Sequence, residues 1–161
     1  MIARPDARFV FAHPAHFIAL GFGTGLAPVA PGTVGTVLAF PIYVLLEAWL
    51  EPLSLFAVIA VLFAIGVWAC GRTGRDLGVA DHSAMNWDEV VAMLLILLII
   101  PEEWQWWVFA FGAFRFFDVV KPQPIRYIDR TVKGGVGVMF DDVVAAFYTL
   151  LLVAAVKRFF F

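Results

Sequence analysis

Between Leu53 and Cys70 the chain runs for eighteen residues without a charge. About 20 apolar residues cross the hydrocarbon core of a bilayer, so this run by itself points to a spanning helix. Composition extends the inference to the whole chain. Of its 161 residues, 63% are hydrophobic and only 15% charged, against roughly 25% charged in a soluble domain. A soluble protein of this size has too little interior to hide that much apolar surface. The length fits one domain, taken as residues 1–161. The net charge of -2 gives no sign of a nucleic-acid partner. The first residues show no signal-peptide plan, because Arg4 and Arg8 are followed by Pro5, Asp6, His13, Pro14 and His16 rather than by an apolar core. Cys70, the sole cysteine, has no partner for an internal disulfide and reads as a small packing residue.

Four further apolar segments are visible. They run from about Val34 to Leu50, Val90 to Ile100, Trp104 to Phe117 and Val143 to Val156. The tryptophans at 104, 106 and 107 mark an entry into the membrane, since this residue favours the interface. His16 to Leu26 is milder and glycine-rich, and reads as a short helix or re-entrant piece. The expected fold is therefore all-α: a polytopic membrane bundle of four or five spanning helices, a short interfacial helix and glycine-rich cytoplasmic loops. Two connections are tight and acidic, at Glu51-Pro52 and Pro101-Glu102-Glu103. The N-terminus and the two longer connections together hold nine Lys or Arg residues. Basic loops stay in the cytoplasm, which orients the bundle. Five spans place Lys157 and Arg158 outside, where they fit poorly, so either two charges are tolerated there or the count is off by one.

The unusual polar residues gather on the side assigned to the cytoplasm. Gly21 to Thr36 reads GFGTGLAPVAPGTVGT. Such a run lets backbone approach a phosphate, with Thr33 donating near a helix start; the bland alternative is a glycine-rich packing turn. Asp88 and Glu89 open one apolar helix, and Asp141 and Asp142 open another. Each acid alone would cap its helix, but two adjacent acids, twice, add repulsion that capping does not explain. Facing each other, the pairs make a hard oxygen site suited to Mg²⁺. No Cys/His spacing suggests zinc, and His13, His16 and His82 read as surface or core residues. Arg115 and Asp118 share a helix face. From Ile125 to Lys133 the pattern is amphipathic, with Arg126, Asp129, Arg130 and Lys133 on the polar side, as in a helix lying in the interface. That basic face is either an anionic-lipid anchor or, through Lys121, Arg126 and Lys133, a holder of substrate phosphate.

Three blocks carry a family resemblance: GFGTGLAPVAPGTVGT at Gly21–Thr36, DHSAMNWDEVV at Asp81–Val91, and FRFFDVVKPQPIRYIDRTVKGGVGVMFDDVVA at Phe114–Ala145. In these the chain resembles the phosphatidylglycerophosphatase A family. The resemblance implies a Mg²⁺-dependent phosphatase of the bacterial inner membrane, with its site facing the cytoplasm. Its substrate would be phosphatidylglycerophosphate, and its products phosphatidylglycerol and phosphate. In that frame Asp88, Glu89, Asp141 and Asp142 are the expected metal shell. Asp118, Asp129 and Asp142 are the expected catalytic carboxylates. Thr33, Arg115, Lys121, Arg126 and Lys133 are the expected phosphate-binding residues. The readings left beside this one are a phosphatase for another phospholipid headgroup and a non-catalytic protein that binds anionic lipid. A transporter is disfavoured, because the spans are almost purely apolar. Oligomeric state and the nucleophile have no signal in the sequence.

Overall fold

The computed structural model describes residues 4–160, and among these every regular element is helical. Two short helices, α1 (Ala7–Ala12) and α2 (Pro14–Ala19), lead into a 3₁₀ turn at Gly21–Leu26. Five apolar helices follow: α3 (Pro31–Glu47), α4 (Pro52–Leu77), α5 (Trp87–Ile99), α6 (Trp104–Val120) and α8 (Gly134–Phe160). The short α7 (Ile125–Thr131) sits between the last two. Prolines at the first position start α3 and α4, where the missing N–H costs nothing. Gly78, at φ +74°, ends α4 in the left-handed conformation. Lys157 and Arg158 meet the negative end of the α8 dipole.

α5 is the centre of the bundle. Ten of its thirteen residues are buried, and it packs against α3, α4 and α8. A helix that is apolar all round has to be enclosed on all sides, and Val90 to Leu94 are (all at most 2% exposed). The Trp87 indole N–H donates to the Leu62 carbonyl at 3.2 Å and ties α5 to α4. The outer helices show the opposite pattern. α4 turns Leu53, Phe56, Val61 and Trp68 outward, and patches of this kind mark contact with lipid or partners. Among the described residues, only α4 and α8, at 26 and 27 residues, are long and apolar enough to cross a membrane unaided. At 1.5 Å per residue they span about 40 Å, α3 and α6 about 25 Å, and α5 about 20 Å.

The chain alternates in direction through these helices. The starts of α3 and α5, the end of α6 and the first turns of α8 line one cleft. At the other end Glu47 lies beside Glu102, and Glu103 and Val156 border a common groove. This matches the separation of a basic, polar end from an acidic end.

Two boundaries differ from those expected. α4 continues past Cys70 to Leu77, because Arg72 pairs with Asp76 one turn on at 2.8 Å and Asp76 also meets His16 at 2.8 Å. α8 starts at Gly134 rather than near Val143, so Asp141 and Asp142 lie two turns inside it and do not open it. The glycines that suggested a break instead permit close approach. A methyl group at Gly135 would overlap the α4 backbone at Val67 and Gly71, so small residues let the two longest helices touch there. The mildly apolar His16–Leu26 stretch is divided at Leu20 into α2 and the 3₁₀ turn.

Candidate active site

The polar end holds a cleft of about 240 Å³. Four helices and one loop supply its lining. The entry to α3 supplies Ala30, Pro31 and Gly32, and the loop before α5 supplies Asp81 and Ser83. The first turn of α5 supplies Asp88 and Glu89, α6 and its end supply Arg115, Asp118 and Lys121, and α8 supplies Asp141 and Asp142.

The floor of the cleft is a carboxylate cluster. One oxygen from each of Asp88, Glu89 and Asp142 lies within 4.8 Å of the other two. Asp88, Glu89, Asp141 and Asp142 are each less than a tenth exposed. Each also has a buried oxygen without a hydrogen-bond partner among the described residues: Asp88 Oδ1, Glu89 Oε2, Asp141 Oδ1 and Asp142 Oδ2. Helix capping does not account for them, since the α5 cap makes no side-chain bond and the α8 pair is mid-helix. Orphaned carboxylate oxygens at this depth are costly unless a cation or protons meet them. An all-oxygen donor set without histidine or cysteine fits a hard divalent cation such as Mg²⁺.

Two basic side chains face the cluster, each held by acids. Arg115 Nη1 donates to Asp118 Oδ2 and, at 3.4 Å, to Glu89 Oε1. Lys121 Nζ donates to Asp141 Oδ2 at 2.6 Å and to Asp129 Oδ1 at 2.8 Å, so it joins the end of α6 to α7 and α8. Burial alone would pull the Lys121 pKa down, but its hydrogen bonds and attraction to Asp129 and Asp141 outweigh burial and hold it above the ordinary lysine range. The cleft is lined by six carboxylates and these two cations. That balance repels a phosphate dianion unless further positive charge is present.

The residues expected from sequence divide accordingly. Asp88, Glu89, Asp118, Asp141, Asp142, Arg115 and Lys121 all line the cleft. Asp129 reaches it only through Lys121. Thr33 is half-buried in the first turn of α3, beside the lining residue Gly32. Lys133 lines an adjoining hollow with Asp81 and Asp129, where its ammonium donates to the Asp129 carbonyl at 2.9 Å. Arg126 is exposed and donates to the Val120 carbonyl at 3.2 Å. Neither Arg126 nor Lys133 is brought to the cleft with Lys121, because α7 turns its basic face away from the carboxylates.

Asn86 has a role that sequence reasoning passed over. It is fully buried, and its amide donates to the Pro31 carbonyl at 2.8 Å and to Thr24 Oγ1 at 3.0 Å. Its backbone N–H donates to Ala19 at 3.0 Å. One side chain thus fastens the glycine-rich segment and the entry to α3 onto the helix that carries Asp88 and Glu89. The only signal in the sequence was its place two residues before Asp88. The histidines hold structural contacts: His13 accepts from Ala15 N–H, His82 accepts from Ala84 N–H, and His16 bridges to Asp76.

Comparison with known proteins adds an independent line. The profile of the phosphatidylglycerophosphatase A family matches residues 17–157. The chain is 42% identical over 141 residues to phosphatidylglycerophosphatase A of Escherichia coli, covering 86% of this chain and 81% of that protein. It is 40% identical over 154 residues to phosphatidylglycerophosphatase A of Haemophilus influenzae, covering 95% and 94%. It is 41% identical over 147 residues to a Bacteroides thetaiotaomicron protein provisionally named a phosphatidylinositol-3-phosphatase, covering 87% and 91%. No solved structure matches.

Proposed function

The chain belongs to the phosphatidylglycerophosphatase A family, and on that premise we propose that it hydrolyses the terminal phosphate monoester of phosphatidylglycerophosphate in phospholipid synthesis, with Mg²⁺ held in the carboxylate cleft. The observation that carries the site is the set of buried, unpartnered carboxylate oxygens facing Arg115 and Lys121.

Asp88, Glu89 and Asp142 are the proposed metal-holding residues, with Asp141 beside them. Mg²⁺ there supplies the positive charge that lets a dianionic phosphate enter and polarises its oxygens. The protein's own groups do the rest. Asp118 aims the Arg115 guanidinium, whose planar fork suits phosphate oxygens. Asp129 and Asp141 hold the Lys121 ammonium, charged, as a second donor. The entry to α3 brings backbone against the cleft at Gly32, where the first N–H groups of a helix favour an anion. Thr33 stands in that turn as a further donor. In this reading Asp118 and Asp129 act by positioning the cations.

The proposed setting is the bacterial inner membrane. α3, α4, α6 and α8, with α5 enclosed among them, form the four or five passes, the shorter ones aided by local thinning or by snorkelling end residues. The carboxylate end faces the cytoplasm because the basic connections lie there. A headgroup phosphate sits at the interface, so the acyl chains stay among lipids while the monoester enters the cleft.

The experiment is phosphate release from phosphatidylglycerophosphate by the purified protein in liposomes, with Mg²⁺ and then with excess chelator. Release that stops with chelator and returns with Mg²⁺ is expected. A folded preparation that releases none with lipid and metal present refutes the assignment. Phosphatidylinositol 3-phosphate belongs in the same assay, because one relative carries that name. Preferential release from it would move the substrate assignment without moving the chemistry.

A further inference from the structure

Seven carboxylates stand in or around the cleft, and six are committed. Asp88, Glu89 and Asp142 form the cluster at its floor. Asp118 is bound to Arg115, and Asp129 and Asp141 are bound to Lys121. The seventh, Asp81, makes no hydrogen bond or ion pair with any described residue. It also differs in position. It lies on the loop between α4 and α5, not on a helix, and its side chain is open to solvent. It lines both the cleft and the adjoining hollow of Asp129, Lys133 and Gly137, so it stands at the opening between the two.

On the phosphatase reading, we take that opening as the way by which the ester enters. The phosphoryl group is drawn toward the cations and the buried carboxylates, while the rest of the lipid has to leave through the mouth. The bridging ester oxygen then falls between floor and mouth. Hydrolysis leaves that oxygen as an alkoxide unless it is protonated as the bond breaks. The floor carboxylates are buried among like charges, and the paired ones are already engaged by cations.

We propose that Asp81 is the general acid that protonates the leaving alcohol, an assignment that rests on the phosphatase reading above. Water oxygen bonds to phosphorus as the ester P–O bond breaks. The departing alkoxide takes the Asp81 proton and leaves as the alcohol. The attacking water, now part of the phosphate, gives one proton to solvent, and Asp81 regains one from solvent. Atoms and charge balance without another reactant.

The surroundings shift the pKa of Asp81 upward from the ordinary carboxylate range. Although one side of Asp81 is open, the chain crowds the other. This partial burial raises its pKa most; Lys121 works against it, and the negative charges of Asp129 and Asp118 add to it. The groups that face it are Lys121 at the end of α6, Asp118 on α6, Asp129 on α7, Asp141 on α8 and His82 beside it in the chain. A carboxylic acid with a raised pKa is suited to donate a proton near neutrality.

The test separates an acid from a metal-holding or structural residue. Asp81→Asn and wild type are assayed on phosphatidylglycerophosphate, whose leaving group is an alkyl alcohol, and on an aryl phosphate, whose leaving group departs without a proton. General acid catalysis is worth about 10²–10⁴-fold. A loss in that range on the alkyl ester is expected, with less than about a tenfold loss on the aryl ester. In wild type, kcat/KM on the alkyl ester should fall on the alkaline side, and Asp81→Asn should lack that limb. Mg²⁺ affinity by calorimetry should be unchanged. Equal losses on both esters, a weakened Mg²⁺ affinity or an unchanged alkyl rate would each overturn the assignment. Wild type that ignores phosphatidylglycerophosphate counts against the proposed substrate alone. The acid is then read from the alkaline limb and its loss in Asp81→Asn on whichever alkyl phosphate the wild type cleaves.

Discussion

Gly32→Ala puts one methyl group between the entry of α3 and the cleft. On helix propensity alone the change is favourable, since alanine is better than glycine by about 1 kcal/mol in a helix interior. The structure opposes that gain. A Cβ at position 32 would overlap Glu89 Oε1 and lie 3.1 Å from Glu89 Cδ and 3.2 Å from Arg115 Nη1. Overpacking of this kind costs about 1–3 kcal/mol. The group in the way is the far end of a flexible side chain, so Glu89 swings aside before α3 moves. The expected net change in stability is therefore small, about 0–2 kcal/mol. The site takes the larger effect, because Glu89 belongs to the cluster whose oxygens lie within 4.8 Å of one another. Disturbing the setting of a metal-holding residue costs about 10–100-fold in affinity or activity, or about 1.4–2.8 kcal/mol. Mg²⁺ calorimetry, thermal unfolding in detergent and phosphate release would be measured on one preparation. Gly112→Ala on α6 is the control, because nothing lies within 4 Å of a Cβ there. If Gly32→Ala keeps wild-type Mg²⁺ affinity and turnover, Glu89 has no part in the metal site and the reasoning fails. If the protein unfolds, the view that Glu89 yields before the helix does is wrong.

Four other outcomes are expected. Asp142→Asn should retain its helical circular dichroism and lose at least about 100-fold in turnover, because it neutralises one of three clustered carboxylates; wild-type turnover would remove Asp142 from the site. Lys121→Met should lower kcat/KM by about 10²–10³-fold, while Arg126→Ala should cost less than about tenfold, since among the described residues Arg126 hydrogen-bonds only to the Val120 carbonyl; equal losses would mean that α7 turns inward when substrate binds. Gly135→Leu should lower the unfolding temperature or abolish folding, because the atoms in its way are the α4 backbone at Val67 and Gly71. The raised pKa of Lys121 keeps it charged through its ordinary titration range, so the stability its ion pairs contribute is full below that range and is lost only as pH rises through the higher folded value. Activity should therefore show no Lys121-dependent loss up to about pH 10, which a comparison of wild-type and Lys121→Met pH profiles would check.

Much of the fold was legible because long apolar runs leave a one-dimensional record. Leu53–Cys70 had to be helical to satisfy its backbone away from water, and the five apolar runs reappear as α3, α4, α5, α6 and α8. Boundaries were less legible. Gly134, Gly135 and Gly137 look like a break, and only the neighbouring α4 backbone shows that Gly135 is a contact inside the packing of two helices. That α5 is apolar all round hinted at its enclosure, but which helices enclose it was hidden.

The sequence by itself determined the residue types at the site: acids in adjacent pairs, a lysine before a proline, a glycine-rich entry to the first long helix, and two helices with the apolar length to cross a membrane. Those follow from composition and local spacing. Only the tertiary structure decided which of them meet. Asp88 and Asp142 are 54 positions apart and join because antiparallel packing returns the chain to the same end of the bundle. Arg126 and Lys133 share a sequence block with Lys121 yet part from it, because α7 presents one face to the cleft and the other to solvent. Asn86 gained its role in the same way, where its side-chain amide meets the Thr24 hydroxyl and the Pro31 carbonyl and its backbone N–H meets the Ala19 carbonyl. Charge and hydrophobicity are properties of residues, whereas coordination depends on distances across the fold, which the order of residues does not contain.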